Sequence, residues 1–462
     1  MMGTNQDGIE LQRIRLFTAL TSPDLQEACT LNHGIVALTD QENREFQSYF
    51  NSEQQTCCFF IPSSGVGSRM FDFLQGILAS DPSVTSEAWA KFFEHIPSFA
   101  FYEQICPTWK DRISEGTFEK YEFIEYLLGP DGLNFAKIPK ALFPFHNIKG
   151  RLTTPFEGHL RQAFTFPKTF SEVHFSIQEE HVSHFYKQDI YQQHKDKITF
   201  SVQNKNTDSF VFDEFQSPVK GPDGVMHTRP SGHGALLWNL EQLKADIIFV
   251  KNIDNIQCPE YDSLTHQSWA SLGGLLAWIR NALKEAIQKQ EIEKIKELSE
   301  RFSLFSKEDL QKFTFQDFII QLNRPWRVCG MVPTEGKPGG GPFWVNTEGR
   351  LTKQIVEKSQ ISPQGLHQLS ESSHFNPVFM ALCTKDLMGN PMRLSSFVQQ
   401  DFGMAVKKNL SGKTIYFLEK PGLWNGSMHH WNSIFLEIPP AVFTPVKSVI
   451  DLLDPCHFSQ DH

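Results

Sequence analysis

Apolar positions fall into two kinds of pattern along the chain. Leu11, Ile14, Phe17 and Leu20 recur three residues apart, the spacing of one helix face, and predict a polar, helical segment over 1–50. Thr56-Cys57-Cys58-Phe59-Phe60-Ile61 is a short unbroken run that stops at Pro62-Ser63-Ser64-Gly65. Such a run, closed by turn residues, predicts a buried parallel strand ending in a loop. Helical spacing returns over 70–90, and about 85–135, rich in Phe, Tyr, Glu and Lys, reads as an inserted helical segment. A strand-loop region follows from Phe135 to His146, then strands at Val173–Ile177 and Ile198–Val202. Asp246-Ile247-Ile248-Phe249-Val250-Lys251-Asn252-Ile253-Asp254 is a buried strand with a polar end. Residues 268–300 read as a long helix whose second half, Lys284 to Glu300, interleaves Glu and Lys on a solvated face. Strands alternating with helices predict an α/β fold with a doubly wound, Rossmann-like, mostly parallel sheet.

Composition narrows the partners. Of 462 residues, 40% are hydrophobic and 21% charged, a globular balance, and 41 Phe supply bulky core volume. The chain carries 43 Lys+Arg against 53 Asp+Glu, a net charge of −10. No basic stripe offsets that surplus, which argues against a nucleic-acid partner. No run of eighteen apolar residues occurs and the mean hydropathy is −0.33, so no membrane span is expected. The start, Met1 to Arg15, lacks a secretory pattern. The eight Cys at 29, 57, 58, 106, 258, 329, 383 and 456 form neither a CxxC nor a zinc spacing. Reduced thiols in a cytoplasmic protein are the expectation.

Four segments carry chemistry. Ser64-Gly65-Val66-Gly67-Ser68-Arg69-Met70 lies between a strand and a helix, where glycines turn the backbone tightly and N–H groups attract phosphate. Arg69 adds a cation for the same phosphates. The spacing is neither a Walker loop nor GxGxxG, and a plain turn explains it equally. Lys137-Ile138-Pro139-Lys140 sets two cations around a proline; a surface lysine pair is the bland reading. Pro230-Ser231-Gly232-His233-Gly234 allows close backbone approach by a flat ligand. Asn252-Ile253-Asp254-Asn255 puts a carboxylate past the end of a buried strand, the edge where open α/β sheets bind ligands. A lone carboxylate with phosphate oxygens suits Mg²⁺, while an Asn/Asp turn explains the same residues structurally. Phe443-Thr444-Pro445-Val446-Lys447-Ser448-Val449-Ile450-Asp451-Leu452-Leu453 reads by chemistry alone as a turn leading into an apolar helix.

Taken in order, Gly-x-Gly-Ser-Arg-Met, Pro-Lys, Gly-His-Gly, Asn-x-Asp-Asn and Phe-x-Pro-Val-Lys-x-x-x-Asp-Leu-Leu resemble the sugar-nucleotide pyrophosphorylases. The last two elements look most like the branch acting with UTP on glucose 1-phosphate or N-acetylhexosamine 1-phosphate. The resemblance covers residues 56–453 in islands. It implies a GT-A-type nucleotidyltransferase core over 51–370, a helical N-terminal segment over 1–50, and a part over 371–462 that completes the sugar and phosphate site. It implies that Gly65, Gly67, Ser68 and Arg69 hold nucleotide phosphates, and that Lys140 and Lys447 approach them. Gly232, His233 and Gly234 then lie against the nucleoside, and Asp254 binds Mg²⁺. Gln203 resembles a base-reading glutamine and points to a pyrimidine, with GTP still open. Gly340, Glu357 and Asn376 fall where the family places sugar-side residues. The chain departs from the family between Arg69 and Lys140, about 70 residues apart instead of a short connection, and in opening its loop Pro-Ser-Ser-Gly.

The implied reaction is attack by a sugar 1-phosphate oxygen on the α-phosphorus of an NTP, releasing pyrophosphate. Positioning and charge neutralisation carry such a transfer, and an ionised phosphate nucleophile needs no general base. Three other readings compete: a structural helical scaffold, against which the strand-loop series argues, a non-catalytic nucleotide- or sugar-binding protein on the same fold, and a glycosyltransferase. The glycosyltransferase expects Asp-x-Asp after the strand, where this chain has Asn252-Ile253-Asp254 with one carboxylate.

Overall fold

Turn residues and unbroken apolar runs set most of the element boundaries. The computed structural model describes residues 5–65, 67–78, 86–221, 223–334, 339–410 and 413–458. The chain forms two compact units, each assembled from three stretches. One comprises Met1–Cys58, Val202–Val250 and Trp269–Pro440; the other comprises Phe59–Ser201, Lys251–Ser268 and Ala441–His462.

The first unit holds a mixed, mostly parallel sheet. Its strands run in the order Thr30–Leu31, Gly34–Val36, Asn432–Glu437, Trp326–Pro333, Phe379–Cys383 and Ile247–Lys251. The first four are joined in parallel, and Phe379–Cys383 runs antiparallel to Trp326–Pro333. Phe50, Phe249, Trp269 and Phe379 pack ring to ring as part of its core. A three-stranded antiparallel sheet of Asp24–Ala28, Gly340–Thr347 and Arg350–Glu357 sets Gly340 opposite Glu357.

The second unit orders its strands Cys57–Pro62, Phe170–Ile177 and Ile198–Val202; the first of these enters it from the other unit at Phe59. Helix Pro155–Phe164 begins with a capping box between Thr154 and Glu157, with Pro155 already held at a helical φ. Beyond the expected loop, Gly67–Phe71 is a 3₁₀ turn leading into helix Asp72–Leu78. Residues 79–85, within the expected helix over 70–90, lie outside the described residues. The inserted segment is helical as expected, with helices Ser86–Glu94, Pro107–Glu115 and Lys120–Leu128. Its aromatic side chains have a common destination: Phe92, Phe99, Phe101, Phe123 and Phe135 share one buried cluster with Phe71 and Phe143 from the flanking chain and with Val446, Val449 and Leu452. Each fully buried Phe contributes roughly 1.5–3 kcal/mol.

Three expectations need correction. Residues 1–50 are not wholly helical: helix Asn5–Ile14 and a wider π-helical turn Arg15–Ala19 are followed by three short strands and helix Asp40–Ser52. The wide turn shifts the helical phase. Ile9 and Leu16, seven residues apart on one helix face, are buried, whereas Leu11 and Ile14 are exposed. Residues 135–142 form two 3₁₀ turns, Phe135–Lys137 and Lys140–Leu142, and a strand starts only at His146. The long helix spans Asp262–Gln288 and is separate from helix Ile292–Arg301, because Gln290 takes a left-handed φ of 57°.

Candidate active site

Backbone pairing brings the Gly-rich loop to the Pro-Lys segment within the second unit. The Gly67 N–H donates to the Ile138 carbonyl at 3.1 Å, and the Lys140 N–H donates to the Gly65 carbonyl at 3.3 Å. A Cβ at position 67 would stand 2.9 Å from that Ile138 oxygen, so the approach requires glycine. The inserted helices therefore loop out between two strands of chain that meet at their base. The Gly67 and Lys140 N–H groups are consumed in this pairing and are not donors to a ligand. Arg69 is exposed one helical step further on; the Ser68 side chain lies outside what is described.

Lys140 extends from this junction to Asp254, Nζ to Oδ2 at 2.9 Å, with both side chains mostly buried. The turn that carries Asp254 is tied to the last island of the motif series. The Asp254 carbonyl accepts from the Val446 N–H at 3.0 Å, and Asn255 Oδ1 accepts from the Thr444 N–H at 3.1 Å. Asn255 Nδ2 donates to the Val442 carbonyl at 3.1 Å. Lys447, the next residue along, is exposed. Asp451 accepts from the N–H groups of Lys447 at 2.8 Å and Ser448 at 2.7 Å, which caps the following turn. Val446, Val449 and Leu452 face the aromatic cluster. Spacing in the Pro-Val-Lys-x-x-x-Asp-Leu-Leu segment thus has a physical meaning: apolar residues anchor it, Asp451 closes the turn, and the lysine stays outside.

Beneath Asp254 lies a polar network absent from the sequence-based reading. Lys251, at the end of its strand, is fully buried, and burial pushes its ammonium down to about 7. Its Nζ donates to Gln162 Oε1 at 3.0 Å, and Gln162 Nε2 donates to Asp262 Oδ1 at 2.9 Å. Arg161 grips Asp262 with two bonds, 2.7 and 3.0 Å, and donates to the Gln257 carbonyl at 2.8 Å. Buried His159, held neutral by desolvation, donates through Nε2 to the Ile253 carbonyl at 3.2 Å. Helix Pro155–Phe164 therefore fixes the turn 251–257 from one side, and segment 442–446 fixes it from another. The signal in the sequence was faint: three polar-capable positions, His159, Arg161 and Gln162, within a four-residue span of a helix that is mostly buried.

The first unit contains the remaining candidates. The Gly-His-Gly turn precedes helix Leu237–Glu241, and a Cβ at Gly234 would stand 2.1 Å from the Pro421 carbonyl oxygen. His233 stacks on Trp424 with centroids 4.8 Å apart. Its Nδ1 accepts from the Leu423 N–H at 3.0 Å, which leaves Nε2 protonated, 3.4 Å from Glu357 Oε1. Glu357 also accepts from Asn425 Nδ2 at 3.0 Å. The His233 bond, with Asn425 behind it, holds the Glu357 carboxyl below its usual range against burial. Trp424, Asn425 and Gln360, which share this cluster, carried no motif. Gln203 directly follows strand Ile198–Val202; its Nε2 is buried with no hydrogen-bond partner among the described residues. Asn376 is buried and bound to backbone on both sides, donating to the Gly330 carbonyl at 2.8 Å and accepting from the Val378 N–H at 3.1 Å. Its contacts are those of a structural residue.

Among the described residues no group of three or more His, Cys, Asp or Glu side chains is arranged to hold a metal ion. Asp254 instead offers a single carboxylate, with Oδ2 engaged by Lys140. That donor set suits an ion that keeps most of its waters and takes its remaining ligands from phosphates, as Mg²⁺ does. It does not suit a closed structural site. Among the described residues no helix is long and apolar enough to cross a membrane.

Residues 1–458 match the model of a family described as a domain of unknown function (DUF4301). No curated protein matches the sequence. Among solved structures, the chain is similar to the uridine diphosphate N-acetylglucosamine pyrophosphorylase from Trypanosoma brucei in complex with inhibitor, at 11% identity and a TM-score of 0.48, over 97% of this chain and 74% of that one. It is similar to a mutant UDP-glucose pyrophosphorylase from Leishmania major at 12% identity and a TM-score of 0.43, over 95% of this chain and 70% of that one. Similarity to a UDP-glucose phosphorylase from Trypanosoma brucei has the same identity, TM-score and coverage.

Proposed function

The chain belongs to the DUF4301 family over nearly its whole length, and from the arrangement of its own residues we propose that it is a Mg²⁺-dependent sugar 1-phosphate nucleotidyltransferase on a Rossmann-like, GT-A-type core. The observation that carries the reading is the junction in the second unit. Four motif islands spread from Gly65 to Lys447 are joined there by three backbone hydrogen bonds and the 2.9 Å Lys140–Asp254 ion pair.

The proposed chemistry assigns the phosphates to Arg69, Lys140 and Lys447 and the nucleoside to Gln203 and the turn Gly232-His233-Gly234. Gly340 and Glu357 are assigned to the sugar side, with Glu357 its carboxylate acceptor, whereas Asn376, engaged by backbone through both of its amide atoms, is left a structural role. The nucleotide is UTP in this reading; the unsatisfied Gln203 amide supports a pyrimidine carbonyl as its partner. A sugar 1-phosphate oxygen attacks the α-phosphorus, the α–β phosphoanhydride bond breaks, and pyrophosphate leaves with the electron pair. Lys140 and Lys447 neutralise the charge that grows on the phosphoryl and leaving oxygens, where fixed cations in a partly desolvated site act most strongly. Asp254 is the residue that would hold Mg²⁺, which would supply further neutralisation of the triphosphate. The proposed setting is the cytoplasm.

The test is a thermal-shift panel of UTP, CTP, GTP, ATP and dTTP with and without Mg²⁺, followed by pyrophosphate release against sugar 1-phosphates. A ligand at about 100 times its Kd stabilises the native state by roughly 2.7 kcal/mol. One Mg²⁺-dependent nucleotide with pyrophosphate release is expected. A shift without release identifies a nucleotide-binding protein, and no shift with any nucleotide overturns the proposal.

A further inference from the structure

A cleft of about 280 Å³ lies wholly within the first unit, among residues that the proposed reaction does not use. Its polar lining includes Gln55, Asp246, Arg280, Lys284 and Lys385, the last four being its charged residues. Arg280 and Lys284 are four residues apart on helix Asp262–Gln288, so their side chains share one face. Lys385 comes from a separate loop and pairs with Asp246 at 2.6 Å. The other Asp246 oxygen accepts from Thr56 N at 2.9 Å and Oγ1 at 2.8 Å. Asp246 is thereby saturated, and it fixes Lys385 in place.

The loop is fixed independently. Asp386 Oδ1 accepts from the N–H groups of Met388 at 2.9 Å and Asn390 at 2.8 Å, and the Asp386 carbonyl accepts from Arg280 Nη2 at 2.6 Å. That leaves Arg280 Nη1, which is buried and has no hydrogen-bond partner among the described residues. Gln55 Oε1 is buried and unpartnered in the same sense. A buried donor and a buried acceptor without partners are costly to the fold, and both line one cleft.

We propose that this cleft binds a small phosphate monoester bearing hydroxyl groups. Arg280, Lys284 and Lys385 against one carboxylate leave two positive charges (three minus one), the complement of a dianionic phosphoryl group. Phosphoryl oxygens satisfy Arg280 Nη1, and a ligand hydroxyl satisfies Gln55 Oε1. A dicarboxylate meets the charge but brings no donor for Gln55. The volume admits a ligand of only a few carbons, below the usual range for drug-sized molecules.

Isothermal titration of the full chain with glycerol phosphate tests the proposal, with inorganic phosphate and malonate as comparators. Glycerol phosphate should bind saturably and more tightly than either comparator. Lys284→Glu, a change at a partly exposed helix position, should weaken it at least about tenfold, the scale of one charge-assisted contact, with the thermal midpoint unchanged. Lys284→Gln serves the same purpose if Lys284→Glu unfolds. Malonate binding as tight as glycerol phosphate overturns the phosphoryl class. Absence of saturable binding overturns the site, as does binding that survives Lys284→Glu and disappears in Asp254→Asn.

Discussion

At the scale of single residues, the Lys140–Asp254 pair separates a structural from a chemical role. Asp254→Asn and Lys140→Met should each lower kcat of the proposed transfer by about 10²–10³, with the fold retained. The charge-reversed double variant, Lys140→Asp with Asp254→Lys, restores an ion pair; its steady-state rate should stay low, and recovery would assign the pair to stability alone. Glu357 differs in kind, because it is aimed by His233 and Asn425 rather than paired with a lysine. Glu357→Gln should raise KM for the sugar phosphate about tenfold with kcat little changed, the loss of one charged hydrogen bond. Lys140 and Asp254 were legible because each sits beside a helix or strand boundary marked by proline or by an apolar run. The network of Lys251, Gln162, Asp262 and Arg161 was not, because its contacts join positions about 90 to 100 residues apart that no local pattern relates.

Elements were legible where burial is one-dimensional. Continuous apolar runs predicted the strands at 57–62 and 247–251 because both strand faces are covered. Strands of two or three residues, such as Thr30–Leu31 and Gly34–Val36, are too short to carry a period. The break after Gln288 was invisible for another reason. Glu291 N–H donates to the Ala286 carbonyl at 2.8 Å and Gln290 N–H to Ile287 at 3.1 Å, a helix ending normally marked by glycine but here built on glutamine. The inserted helices were legible as helices, while their purpose emerges only from the shared cluster with Val446 and Val449. Phe123→Ala, at a fully buried position of that cluster, should destabilise the protein by about 3–5 kcal/mol, read as a lowered denaturation midpoint. Nucleotide stabilisation should fall with it, because the Val446 anchor is loosened.

For the whole molecule, buried titratable groups set a direction of stability with pH. His429 is pushed down to about 3 and His457 to about 4 by burial, and His146 and His159 also lie well below 6.5. Between those values and 6.5 the unfolded chain binds protons that the folded chain refuses, so stability rises with pH over this window and is lost on acidification. Lys251, at about 7 against an ordinary 10.5, acts in the same direction from pH 7 upward. Above about 9 the buried thiols of Cys29, Cys258 and Cys456, pushed up to about 12, work the opposite way. Thermal midpoints at constant ionic strength should therefore climb from pH 4 to 6.5 and continue to rise toward 9. A Lys251→Met chain should lose part of that upper rise, the remainder coming from Lys353, which burial pushes down to about 8.

The threading of the second unit through three stretches, the last beginning at Ala441, also has a consequence in time. Asp254 and Asn255 leave the ribosome nearly two hundred residues before Thr444 and Val446, their hydrogen-bond partners. Throughout that interval the nascent chain carries an unlatched carboxylate turn and a half-covered aromatic cluster. The turn cannot be latched until the stretch from Ala441 has emerged, and chaperones that shield apolar surface have their longest claim on the nascent chain up to that point.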